Sequence, residues 1–127
     1  MKLAVKPETN INMNPALPDT LSPTVRAALS EAVATLGDLY GSRLRHLVLF
    51  GSQARGNPHP ESDVDVLVVL GEEPDYVAEV RRLVGVTMRL LDRYEVVVSF
   101  KPISLSTYLN PRHPLMINIR REGAVLV

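Results

Sequence analysis

The segment Phe50-Gly51-Ser52-Gln53-Ala54-Arg55-Gly56, followed by Ser62-Asp63-Val64-Asp65, holds the residues of this chain best suited to chemistry. Gly51 lets the backbone turn and come close to a bulky anion, because no Cβ stands in the way. Ser52 offers a hydroxyl and a backbone N–H to phosphate oxygens. If a helix opens just after Gly51, its free N–H groups add positive potential. Arg55 can fork onto a phosphate. Asp63 and Asp65 are two apart, so on a strand their side chains leave the same face. Two carboxylates held that close repel, and a divalent cation relieves the repulsion. Oxygen ligands suit magnesium, which bridges carboxylates and substrate phosphates, and a pair of such ions can stabilise both oxygens of an in-line displacement at phosphorus.

Each part has an ordinary explanation. Gly-Ser in a loop is usually a turn, and Asp at a strand entry is usually a solvated cap. The combination is less ordinary. From average residue frequencies, Gly-Ser followed ten residues later by Asp-x-Asp arises by chance on the order of once in several hundred chains of this size.

The surrounding pattern supplies elements to position these groups. Residues 1 to 20 mix Pro, Asn and Thr without apolar periodicity and read as an arm, leaving 21 to 127 as one domain. Ser22-Pro23 opens a helix whose apolar set is Val25, Leu29, Val33 and Leu36, ending near Gly41. Leu44 to Phe50 reads as a buried strand and Asp63 to Leu70 as a second, with the reactive loop between them. Asp75 to about Arg93 reads as a helix with Val77, Val80, Val84, Thr87 and Leu91 on its buried face. Glu95 to Phe100 reads as a third strand. A short helix opened by Ser104, a helix from about Pro114 to Arg121 stopped by Gly123, and the apolar stub Ala124 to Val127 complete the chain.

Bulk properties exclude several classes. With 127 residues the chain suits one domain, and a formal net charge of zero predicts no bulk attraction to nucleic acid or an anionic membrane. There is no cysteine, which removes disulfides, thiolate nucleophiles and cysteine-based zinc sites and fits a reducing cytoplasm. No apolar run reaches membrane-spanning length, and the first residues lack the apolar stretch of a secretory signal. His46, His59 and His113 share no metal-ligand spacing; His46 and His59 read as surface residues. Arg82, Arg89 and Arg93 make a helix stripe with Arg81 beside it, more simply a solvated face than a contact surface for an acidic partner or RNA. Arg112, Arg120 and Arg121 form a second basic group.

Gly51-Ser52, ten intervening residues and Asp63-x-Asp65 resemble the signature of the polymerase-β-type nucleotidyltransferase superfamily. More narrowly, the chain is similar to its minimal nucleotidyltransferase (MNT) branch, with Arg55-Gly56, Ser62 and the tail from His113-Pro114-Leu115 to Glu122-Gly123 adding to the likeness. The resemblance covers roughly Leu44 to the end. It implies an α/β (α+β) fold, a small mixed β-sheet with helices packed on one side. It implies nucleotide binding by Gly51, Ser52, Arg55 and Gly56, and binding of two Mg2+ ions by Asp63 and Asp65, with ATP as the substrate and AMP transferred. Many MNT proteins pair with a HEPN-domain toxin as its antitoxin and silence it by AMP transfer to a tyrosine, which makes a HEPN protein the expected partner and leaves self-association open. The superfamily usually adds a third carboxylate on a neighbouring strand. Here Glu95 is the candidate third catalytic and metal-binding residue, since on a strand it would share a face with Val97 and Ser99; otherwise it ends a helix–strand turn in solvent. Two rival readings follow, a catalytically weak MNT-fold module that neutralises its partner by contact, and a nucleotidyltransferase acting on small molecules.

Overall fold

The computed structural model describes residues 18–56 and 63–127. Most of the expected N-terminal arm, together with His59 and Ser62, lies outside these residues. Within them, Leu21 is already buried, and the Pro18 carbonyl accepts a hydrogen bond from the Arg26 guanidinium at 2.8 Å.

Helix α1 spans Pro23–Tyr40. Ser22 caps it, its hydroxyl accepting from the Val25 N–H at 3.1 Å, and proline occupies the first turn, where no N–H is needed. A 3₁₀ turn, Gly41–Arg43, leads into strand β1, Leu44–Phe50. Strand β2, Val64–Leu70, returns antiparallel to β1, with Phe50 opposite Asp65. Helix α2 is Tyr76–Tyr94, capped by Asp75, and strand β3 is Val98–Ser104, parallel to β2. The short helix α3, Leu105–Tyr108, is capped by Ser104; helix α4, Pro114–Glu122, then leads to β4, Ala124–Val125, antiparallel to β1. The sheet order is β3-β2-β1-β4, a mixed sheet as expected.

The two long helices share one face of the sheet. Leu29, Leu36, Leu83 and Leu90 meet Leu47, Leu49, Val64, Val66, Val68 and Leu70 in the main core. The opposite face is partly covered as well: Val48, Leu67 and Val69 pack against Tyr108, Met116 and Ile119 from α3 and α4. The one-sided expectation therefore holds for the long helices and omits this second, smaller layer.

Two further expectations are corrected. The buried face of α2 is Glu79, Leu83, Val86 and Leu90; Val77, Val84 and Leu91 are exposed. Both sets have helical spacing, and the true one was disguised by a carboxylate. Glu79 is tolerated in the interior because its oxygens accept from Tyr40 Oη and Arg43 Nη2, each at 2.9 Å, and pair with Arg82 at 3.3 Å. Strand β3 is also displaced along the chain. It begins three residues after Glu95 and continues through Pro102 to Ser104. As an edge strand it tolerates a proline, which needs only a position facing away from the ladder.

Candidate active site

The reactive loop and the acidic pair meet at one end of the β1–β2 pair. Asp65 lies on β2 opposite Phe50, which places its carboxylate against Gly51. A Cβ built on Gly51 would stand 2.5 Å from Asp65 Oδ2, and Gly51 has φ +78. Glycine is required here twice, for the left-handed backbone and for the close approach. Among the described residues no regular helix follows it. Ser52 to Gly56 form turns, with one helix-like bond from the Arg55 N–H to the Gly51 carbonyl at 3.2 Å, and Gly56 closes the turn at φ +73. The expected anion site thus rests on turn N–H groups and Arg55, whose side chain is exposed, rather than on a helix terminus.

In β2 the even residues Val64, Val66 and Val68 enter the main core, and Leu67 and Val69 face the smaller layer. Asp65 shares the parity of Leu67 and so stands on the α4 side, where cover is thinner. Asp63 is exposed just ahead of the strand. The Asp65 carboxyl is pushed above the ordinary carboxylate range, first by burial and then by the charge of Asp63, with Arg55 pulling the other way. The two charge effects follow from bringing Arg55, Asp63 and Asp65 together.

Glu95 is not part of this group. It is the C-cap of α2, with φ 55 and ψ 33, and is exposed in the helix–strand turn. The strand residue registered beside Asp65 is Ser99, and the backbone carbonyl of Val97 accepts from the Val64 N–H at 2.9 Å. Strand β3 reads V-S-F-K-P-I-S and supplies no carboxylate. Among the described residues no three His, Cys, Asp or Glu side chains cluster as a metal site. The expected third ligand therefore lacks support, while the Asp63/Asp65 pair offers oxygen ligands of the kind magnesium takes, completed by water and substrate oxygens.

Two clefts flank the pair. One, of about 190 Å3, lies between the Gly51–Arg55 turn and α4, walled by Phe50, Leu115, Asn118, Ile119 and Glu122. The other, of about 250 Å3, runs from Asp63 along α2 and β3 between Val80, Val84, Thr87, Val97 and Ser99. The α4 wall was not anticipated as part of the site, although the tail from His113 to Gly123 forms part of the family likeness. A Cβ on Gly123 would lie 2.5 Å from the Ile119 carbonyl and 2.8 Å from Val48, so glycine lets the end of α4 press against β1 beside Gly51. Elsewhere, the expected surface and stripe readings resolve into structural roles. His46 is half-buried, its ring tilted at 44° against Tyr108 with centroids 5.8 Å apart, and it bonds to the Val127 carbonyl. Arg82 pairs with Glu79, Arg93 with Glu31, and Arg120 binds the Tyr108 and Asn110 carbonyls.

The model of the nucleotidyltransferase domain family matches residues 29–120. The chain belongs to this family. Two curated relatives from Methanocaldococcus jannaschii bear names that assign them provisionally to the protein adenylyltransferases. One is 38% identical over 72 residues, spanning 57% of this chain and 66% of the relative; the other is 31% identical over 71 residues, spanning 56% of this chain and 71% of the relative. Among solved structures, the fold is shared with a toxin–antitoxin crystallised with AMP-PNP, at a TM-score of 0.52 and 19% identity over 76% of this chain and 71% of that one. A mutant of the MntA–HpeT toxin–antitoxin gives a TM-score of 0.51 at the same identity. No helix among the described residues is long and apolar enough to cross a membrane.

Proposed function

We propose that this protein transfers AMP from ATP to a hydroxyl side chain of a partner protein, a tyrosine of a HEPN-family toxin, and acts as the antitoxin of the pair. The observation that carries the reading is the Asp65 carboxylate seated over Gly51 beside Asp63, a carboxylate pair against an anion-binding turn. The names of the two M. jannaschii relatives support a protein as acceptor. The toxin–antitoxin context and the bound AMP-PNP of the structural neighbours support the partner and the nucleotide.

In this reading Gly51, Ser52, Arg55 and Gly56 hold the β- and γ-phosphates through backbone N–H groups, the hydroxyl and the guanidinium. Asp63 and Asp65 hold magnesium, which when bound neutralises phosphate charge and polarises the α-phosphorus. The acceptor oxygen bonds to the α-phosphorus, the bond to the bridging oxygen breaks, pyrophosphate departs, and the acceptor proton passes to solvent. The chain's own contribution is positioning and charge stabilisation. The apolar groove that starts at Asp63 gives an acceptor-bearing surface a place to approach from the side opposite α4.

A second reading, neutralisation of the partner by contact with little catalysis, is favoured by one observation: β3 offers Ser99 where the third carboxylate would stand. Labelling separates the two. With magnesium, α-labelled ATP and a co-encoded HEPN protein, transfer should label the partner's tyrosine, and Asp63→Asn should abolish labelling and neutralisation while leaving the complex intact. Neutralisation that survives Asp63→Asn, with no label in the wild type, would establish the contact mechanism instead.

A further inference from the structure

Helix α2 carries a second apolar face besides the one it buries, and it is the face that sequence spacing alone assigns to the core. Val77, Val84, Met88 and Leu91 are exposed by 60, 51, 56 and 36%, and half-buried Val80 and Thr87 fill the rows between them. The steps from 77 to 80, 84, 87 and 91 alternate three and four, the repeat that keeps one seam turned toward a partner helix. At 1.5 Å per residue the seam runs about 21 Å, and exposed Val97, just ahead of β3, widens it. Single exposed apolar residues are ordinary, whereas a continuous stripe of them marks an interaction surface.

We infer that this stripe docks a helix of the acceptor protein, one with apolar residues at three-and-four spacing and a carboxylate on its flank opposite Arg81. The inference rests on the proposed transfer to a protein hydroxyl and adds the surface that selects the protein. Continuity points to the acceptor: the groove between the stripe and β3 ends at Asp63, so whatever lies along it reaches the carboxylate pair. Shape points to a helix. The outer edge of β3 suits an added strand poorly, because Pro102 has no N–H to offer and exposed Lys101 stands beside it. Charge sets the flank. Arg82 and Arg93 pair with Glu79 and Glu31. Arg81, a helical neighbour of both Val77 and Val84, makes no ion pair among the described residues. Asp92 borders the other end of the stripe, one turn past Met88, and limits the acidic flank to the Arg81 half. Docking of this kind supplies binding common to ground and transition states, so its loss is felt in KM for the partner rather than in kcat.

The test is calorimetric titration of the co-encoded HEPN protein into this chain without ATP, then labelling from α-labelled ATP and magnesium over a range of partner concentrations. Val77→Asp combined with Met88→Glu should weaken the complex about a hundredfold. It should raise KM for the partner in step, with labelling recovered at high partner concentration. Arg81→Glu should weaken the complex about tenfold and reduce its salt dependence. Ile117→Asp, at an exposed apolar position on α4 across the sheet, should bind as the wild type does. Unchanged melting temperatures show that the variants fold. A complex untouched by the double substitution would overturn the inference, and partner labelling in that same experiment would leave the proposed transfer standing. Binding lost with the double substitution, beside a wild type that never labels its partner, would keep the docking surface and overturn the transfer. An Arg81→Glu complex as tight as the wild type would overturn the acidic flank. A wild type that sediments as a dimer, broken by the double substitution, would give the stripe to a second copy and overturn the inference.

Discussion

Gly51→Ala should damage this protein through a single contact, and the geometry sets its size. Two costs add. An alanine held at φ +78 loses about 1–2 kcal/mol to the left-handed backbone. Its Cβ would also stand 2.5 Å from Asp65 Oδ2, against the 3.0 Å that real Cβ contacts respect, so the carboxylate must move by about half an ångström. The atom struck ends a half-exposed side chain, so turning the carboxylate away adds about 0.5–1.5 kcal/mol, the cost of leaving a preferred rotamer. Gly41 provides the control. It has φ +56 and nothing within 4 Å of its built Cβ, so Gly41→Ala carries the backbone cost alone. Thermal unfolding should therefore show Gly51→Ala losing about 1.5–3.5 kcal/mol, at roughly 4 °C per kcal/mol, while Gly41→Ala, at φ 56 and ψ −130 rather than in the left-handed helical region, loses about 1–3 from backbone strain alone. In an Asp65→Ala background the extra cost at Gly51 should vanish, because the atom it strikes is gone. In Asp65-containing protein, AMP transfer should fall about tenfold or more, since a displacement of about 1 Å at a reacting centre can cost about a hundredfold. A Gly51 cost unchanged without the Asp65 carboxylate would refute the close approach on which the site is built.

Three further outcomes follow from the same geometry. Asp65→Asn should stabilise the magnesium-free protein by about 0.5–2 kcal/mol at neutral pH. Burial and Asp63 raise the Asp65 carboxyl, so its ionised form is a cost that persists above the raised value and fades as pH falls through it; melting curves of both proteins from pH 7 to 4 should converge in acid. The carboxylate of Glu79 behaves oppositely. Burial pushes it up, yet hydrogen bonds from Arg43 and Tyr40 and the charge of Arg82 outweigh this and leave it below its ordinary 4.5. Its contribution is complete above that value and lost as pH falls through the lowered one, so Glu79→Ala should cost about 1–3 kcal/mol at pH 7 and flatten the acid limb of the stability profile. Leu83→Ala should lose about 2–5 kcal/mol in chemical denaturation while Val84→Ala stays within about 0.5, an ordering that the helix face read from sequence would reverse.

The elements with local signals were legible from the sequence. Ser22-Pro23 marked the start of α1, Asp75 and Ser104 marked caps, and the Leu and Val run of Leu44 to Phe50 marked β1 with its observed ends. What failed depended on partners far along the chain. Glu79 reads as a solvent residue until Tyr40 and Arg43, 39 and 36 positions away, are seen to satisfy it. Glu95 continues an apolar strand pattern on paper. In the fold, α2 runs on through Tyr94, and Glu95 itself takes the left-handed conformation that ends the helix. The sequence pattern ends the third strand at Phe100, and its continuation through Pro102 depends on an edge position that is not visible in sequence. The α4 wall of the site could not be foreseen for the same reason, since it lies some sixty residues from Gly51 and is brought there by the β1–β4 pairing.

The uneven cover of the sheet explains why the aspartates can be where they are. On the face beneath α1 and α2, the even positions of β2 are all apolar and fully buried, so that side carries the stability of the domain. A carboxylate among Val64, Val66 and Val68 would face the full desolvation penalty. The odd positions look toward the short helices, which reach Leu67 and Val69 but leave the Asp65 end half open. Shortness of α3 and α4 is thus a condition for function, because a longer α4 would bury two unpaired charges. The cleft bounded by α4 lies on this thinly covered side, while the other opens between α2 and β3 at the edge of the sheet. The proposed transfer needs Asp63 and Asp65 accessible to two substrates, and the thin cover of this face leaves the Asp65 end of the sheet half open to both.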